Sequence, residues 1–385
     1  LFLINNFEHL NVIKQRGNMK LLYKYLVLAL VAVPLVGFTG GYVTNSVIKP
    51  NEAVAAQGKK GSSAKVYGRL WTQYSNEKTS GGNAQTAIMD DEGMARVGVK
   101  GKSSIGNGYA VNYKAEWAID LGDGDASGLK ESSNEKSNAF TLKQGWLGLL
   151  TPMGQFKFGS MESPYKFMAK HDILHDTLAQ MRDTNGISAG EMSHSGYWRG
   201  SVYYELKMGD LKFAAIKGVT DHDGDTFEHN GGDKGDYGYG IEYKNFLIKG
   251  FEVVYAYNHD QGADEANKKY TLTYNTKLGD KQKVKVWYMH EDVELDTSMF
   301  KTTGNGEVDW YGITYSTGPM KLMYTISDSE HDTIANAGGD AYSLGMQYKL
   351  SKTSRFYAGY SDYDGESAAG DADYRTYIFG LRHDF

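Results

Sequence analysis

The sequence contains no Cys and only 5 Pro in 385 residues. Without Cys there is no disulfide framework, no thiolate metal site and no Cys nucleophile. There is no basic excess either. The 41 Lys and Arg stand against 47 Asp and Glu, where a nucleic-acid binder carries a basic footprint. Repeated apolar runs are missing too: the hydrophobic share is 41% and mean hydropathy is −0.50. A polytopic helical membrane protein needs about 20 mostly apolar residues per span and is excluded. What the chain does have is Gly and Tyr. Its 47 Gly are about one residue in eight, against ~7% in an average chain. Tyr supplies 29 of its aromatic residues. This mixture indicates a large all-β protein.

The N-terminal segment reads as an address. Met19-Lys20 is taken as the start, with Leu1 the alternative, so residues 1–18 form an upstream extension. Residues 19–56 follow the order of a secretory signal: Lys20 and Lys24, then the apolar run Tyr25–Phe38, then small residues at Ala53–Ala56. The competing reading is a retained anchor, but about 14 residues are short of the roughly 17–25 a span needs, and Pro34 interrupts them. The gap from Phe38 to Ala55 is long for a cleavage region. Residues 57–385 form the mature domain. Cleavage would remove five basic and two acidic residues and leave a formal charge of −9.

From Lys65 onward the dominant period is two. Tyr270, Leu272 and Tyr274 alternate with Thr271, Thr273 and Asn275, and Tyr342 to Leu350 alternate in the same way. Such strands have one apolar and one polar face. Connections alternate in length: Leu278-Gly279-Asp280 and Gly318-Pro319 are short, whereas 120–138, 221–236, 259–267 and 328–340 are long and rich in Asp, Gly and Ser. Short turns on one rim and long loops on the other are the pattern of an outer-membrane barrel. The segments are about sixteen in number, enough for an aqueous channel. The predicted fold is an all-β transmembrane antiparallel β-barrel.

The terminal stretch Phe379-Gly380-Leu381-Arg382-His383-Asp384-Phe385 resembles the closing strand of the Gram-negative general porins, especially their neisserial-type branch. Three further stretches resemble the same family in order: Val66–Leu70, Ala95–Gly101 with Gly106-Asn107-Gly108, and Trp146–Leu149 through Gly154–Gly159. The resemblance covers essentially all of 64–385. Ser160 departs from it, since many relatives carry Arg there. The resemblance implies an outer-membrane channel for passive diffusion of small hydrophilic solutes and ions. It also implies a homotrimer in contact with lipid and lipopolysaccharide, and a terminal Phe385 read by the barrel-assembly machinery. No cofactor, metal, nucleic-acid partner or enzymatic activity is expected. The alternative is a substrate-selective channel for a nutrient anion or small sugar, with Tyr67, Trp71 and Trp287 as its lumen track.

Residues 161–195 are the longest stretch without alternation. Ser163-Pro164 suits a helix start, and Tyr165–Met181 reads as a short helix. On such a helix Asp172 and Asp176 share a face, as do His171 and His175. The resemblance implies that this is the inward-folded constriction loop, carrying Asp172, Asp176, Asp183 and Glu191. It also places Arg69, Arg96, Lys143 and Arg199 on the facing basic wall. Alternation independently puts Arg69 between outward Gly68 and Leu70, and Arg96 between Ala95 and Val97. Opposed charges of this kind select solutes through ring charge and pore radius. The whole chain is acidic, so the sign of ion preference is left open. His171 and His175 lack a third ligand at a telling spacing, and the Asp-rich stretches 120–125 and 221–225 lack the Gly and Glu of a calcium loop. Ser193-His194-Ser195 and His383-Asp384 do not build a catalytic triad by adjacency alone.

Overall fold

The computed structural model describes residues 62–79, 81–89, 95–119, 121, 140–180, 197–220, 234–262, 264–294, 306–332, 338–365 and 373–385. The readings on the N-terminal address, on Asp183 and Glu191, on Ser193–Ser195 and on 221–225 lie outside them. Seventeen strands are present among the described residues. The first six are β1 (Ser62–Thr79), β2 (Gln85–Met89), β3 (Arg96–Gly106), β4 (Tyr109–Ile119), β5 (Phe140–Thr151) and β6 (Gly154–Glu162). Next come β7 (Tyr197–Met208), β8 (Leu211–Gly218), β9 (Tyr237–Lys244), β10 (Phe251–Asp260), β11 (Glu265–Gly279) and β12 (Gln282–Val293). The last are β13 (Gly306–Thr317), β14 (Met320–His331), β15 (Gly339–Lys349), β16 (Ser354–Gly365) and β17 (Tyr374–Asp384).

Sixteen of these form one antiparallel ring. Each of β3 to β17 pairs with the next, and β17 returns to β1 over Arg69↔Asp384 to Thr79↔Tyr374. Closure pairs every edge, the condition a sheet must meet in hydrocarbon. Strand β2, which the alternation did not predict, adds to β1 at Gln73–Glu77, beyond the point where β1 leaves β3. No described helix is long and apolar enough to cross a membrane; the strands do so.

The faces of the sheet follow the period of two. On β1, Leu70 and Tyr74 are exposed outward, while Trp71, Gln73 and Ser75 are buried inward. Large apolar residues are exposed around the outer wall, among them Val66, Leu147, Phe158, Leu344 and Phe379. A soluble sandwich buries such residues; a barrel turns them to lipid. Outward tyrosines pack against one another between strands, as in Tyr342–Tyr360–Tyr377, with tilted rings whose centroids are 5.7 and 4.7 Å apart.

Turn chemistry explains the short rim. Asn107 and Gly108, both at positive φ, form the two-residue link between β3 and β4, as a primed hairpin turn requires. Residues 245–250 are a turn between β9 and β10. Asn245, Leu247 and Gly250 are left-handed there, and pairing resumes at Phe251.

Candidate functional site: the charged inner wall

The segment after β6 holds the largest departure from the sequence reading. Its helix, α1, spans only Pro164–Phe167, capped by the Ser163 side chain. Ala169 and Asp176 adopt positive φ, so the backbone leaves the helix and continues as turns. Asp172 and Asp176 therefore share no helix face, and neither do His171 and His175.

What holds this segment is the inner face of strands across the ring. The Tyr165 hydroxyl donates to Glu291 of β12, and the Lys269 ammonium of β11 lies 4.4 Å from the Tyr165 ring centroid. Leu174, fully buried, sits against Gly345 of β15 and Gly359 of β16, where a Cβ would lie within 3.0 Å of it. Met168 occupies the equivalent space over Gly240 of β9. His171 stacks on Trp287, ring centroids 5.1 Å apart, with Nδ1 3.1 Å from Lys285 Nζ and Nε2 3.3 Å from Thr273 Oγ1. An ammonium can only donate, so Nδ1 accepts and Nε2 carries the proton. Burial and the neighbouring Lys285 and Lys269 ammonium groups hold the imidazole well below its usual pKa.

Three of the four predicted basic residues, Arg69, Arg96 and Lys143, meet at one patch. Arg69 and Arg96 are directly paired across β1 and β3. The Arg69 Nε donates to Asp384 Oδ1 at 3.1 Å, and its Nη1 is 4.0 Å from Asp176 Oδ2 of the segment. The Arg96 Nη1 lies 3.4 Å from Glu116 Oε1, while Lys114 Nζ is 3.2 Å from Glu116 Oε2. The Tyr67 hydroxyl donates to the same carboxylate at 2.8 Å. Lys143 occupies a bulge in β5 opposite Glu116 and Trp117, and Arg96, Asp176, Glu116 and Glu162 all act on its charge.

Arg199 falls in a β-bulge: pairing runs from Gly159↔Ser201 to Met161↔Trp198, and Gly200 is left-handed. Simple alternation no longer specifies its face. Asp172 accepts from Leu174 N at 2.7 Å and acts on Lys285 across the ring from the arginines. Trp71 and Trp287 are buried within packed clusters, Trp71 edge-on to Tyr357 and Trp287 edge-on to Trp310, with ring centroids 4.9 and 5.1 Å apart. Phe385 pairs its backbone with Gly68, and its ring covers the space a Cβ at Gly68 would fill.

Several charged residues of the patch escaped the sequence reading. Arg355 Nη2 and Arg382 Nε both reach Asp384, at 3.1 and 3.0 Å. Glu162 lies 3.5 Å from Lys170 Nζ. The signal for Arg382 and Asp384 was their spacing of two on the terminal strand, which put both on the inward face once its register was known.

A closed sixteen-stranded barrel with an apolar outer wall and a charged inner wall is a transmembrane β-barrel channel. The model of the Gram-negative porin family matches residues 52–385, and the chain belongs to that family. Solved structures agree in fold. An anion-selective porin from Comamonas acidovorans is similar at 16% identity and TM-score 0.60, covering 84% of this chain and 100% of that one. OmpT of Vibrio cholerae gives 15% identity and TM-score 0.59 over 84% and 98%. OmpF of Salmonella typhi, in complex with daunomycin, gives 14% and 0.59 over 84% and 97%. No curated protein sequence matches significantly. The chain is thus a porin of the Gram-negative outer membrane, a channel for passive diffusion. Family and fold point to a channel rather than an enzyme, and the substrate-selective alternative gains no added support.

Proposed function

We propose a homotrimeric general diffusion porin in which residues 163–180 narrow the pore, with Arg69, Arg96 and Lys143 opposing Asp176 at the narrowest point. The observation that carries this reading is the meeting of Asp176 with Arg69 across the space between segment and wall. Opposed charges at a constriction orient water and favour small polar solutes. The patch has six cations (Arg69, Arg96, Lys114, Lys143, Arg355, Arg382) and four carboxylates (Glu116, Glu162, Asp176, Asp384). That balance supports a modest anion preference, the property named for the Comamonas structure. A trimer form of the similar Vibrio OmpT supports the trimer. Residues 19–56 serve as the export signal in this reading, and Phe385 as the assembly signal.

The test is conductance of the refolded barrel in planar bilayers across a salt gradient. Replacing Arg96 and Lys143 together with Gln should move the reversal potential toward cation preference. An unchanged potential would remove both residues from the constriction.

A further inference from the structure

We propose that Asp384 is a selectivity-determining residue of the pore, an internal counter-ion that offsets part of the arginine wall. The inference rests on the reading of the chain as an ion-conducting porin.

The register builds an unusual patch. Arg355 on β16 is directly opposite Arg382 on β17, Asp384 on β17 is opposite Arg69 on β1, and Arg69 is opposite Arg96 on β3. Four guanidinium groups and one carboxylate therefore share the inner face of four adjacent strands. Three of those guanidinium groups converge on Asp384 at 3.0–3.1 Å: Arg69, Arg355 and Arg382. Like charges directly across a sheet repel, so the carboxylate is the group that lets them stand together. Its side chain is 29% exposed, so its charge is felt by solutes in the lumen.

The guanidinium groups have a second support. Those of Arg69 and Arg382 lie 5.6 and 5.3 Å from the ring centroid of Trp71, which attracts a cation through its π-face. Removing the carboxylate charge therefore leaves the arginines held on the wall with one fewer counter-ion. Arg69 also bridges the patch to Asp176, so the altered field lies beside the segment that crosses the lumen.

The experiment compares Asp384→Asn, Asp384→Glu and Arg382→Gln with the unaltered protein, measuring reversal potential in a potassium chloride gradient. Asp384→Asn should raise the chloride-to-potassium permeability ratio about two- to fourfold, the size expected for one charge several ångströms from the ion path. Asp384→Glu should restore the original ratio, and Arg382→Gln should lower it. The differences should shrink in concentrated salt, where screening is short-ranged. A conducting Asp384→Asn channel with the original ratio would overturn the proposal. If that variant fails to assemble, Arg355→Gln and Arg382→Gln decide: both must lower the ratio, and no change in either overturns it. A folded unaltered barrel that passes no current would defeat the porin reading instead.

Discussion

Arg69 and Arg96 face one another directly across a strand pair. That juxtaposition ordinarily costs stability, which the Trp71 ring beside Arg69 and the flanking carboxylates offset. Asp384 supplies one on the β17 side and Glu116 the other on the β4 side. A second pairing of single residues closes the barrel on its outer face. Gly68 and Phe385 exchange backbone hydrogen bonds at 3.1 and 3.0 Å, and the phenyl ring lies where a Gly68 Cβ would project. Replacing Gly68 with Val should displace that ring and destabilise closure by about 1–3 kcal/mol, the usual cost of overpacking. Urea-unfolding midpoints in detergent should fall accordingly. An unchanged midpoint would mean that the ring relocates freely.

The segment 163–180 is held by small inward residues and a few polar contacts rather than by helical structure of its own. Gly240, Gly345 and Gly359 leave room for Met168 and Leu174, while His171 is wedged between Trp287, Thr273 and Lys285. The charged groups around His171 are Lys285 and Lys269 on the wall and Asp172 beside it, with Glu291 beyond Lys269. The seated imidazole is neutral, with its pKa below the unfolded value of about 6.5. The seated form thus binds fewer protons than the released form below that pH. Seating is at full strength above pH ~6.5 and weakens by up to about 1.4 kcal/mol per pH unit on acidification, until the seated pKa is reached. Single-channel current noise should rise between pH 7 and pH 5, and His171→Asn should remove this dependence. A pH response that persists in the variant would assign it to other groups.

At the scale of the whole molecule, the apolar outer wall covers more than lipid alone if three barrels associate. Chemical cross-linking of protein extracted in mild detergent should give a ladder ending at three chains, and conductance should appear in steps of three. Single steps with no cross-linked species would leave a monomeric porin. The sixteen-membered ring also accounts for the length of the described strands, mostly 8–12 residues, against the roughly 9–11 that a tilted crossing needs.

Much of this architecture was legible without coordinates. Alternation such as that of Tyr342 to Leu350, Asn107-Gly108 at a hairpin and the terminal Phe385 are local signals, and each strand must show lipid one face and water the other. The same alternation assigns a face to Arg69 and to Arg96, and the register of β1 and β3 sets the two directly opposite one another. Three features were decided only by tertiary contact. The helix expected over 165–181 stopped at Phe167, because the segment follows its seats on β9, β15 and β16 and not its own propensity. The bulge at Arg199-Gly200 interrupts the period of two, so alternation does not assign a face to Arg199, whose place on the wall was implied by resemblance alone. The convergence of Arg69, Arg355 and Arg382 on Asp384 joins residues up to 315 positions apart. The alternation of one strand assigns faces within it, but only closing β17 onto β1 brings those faces into register.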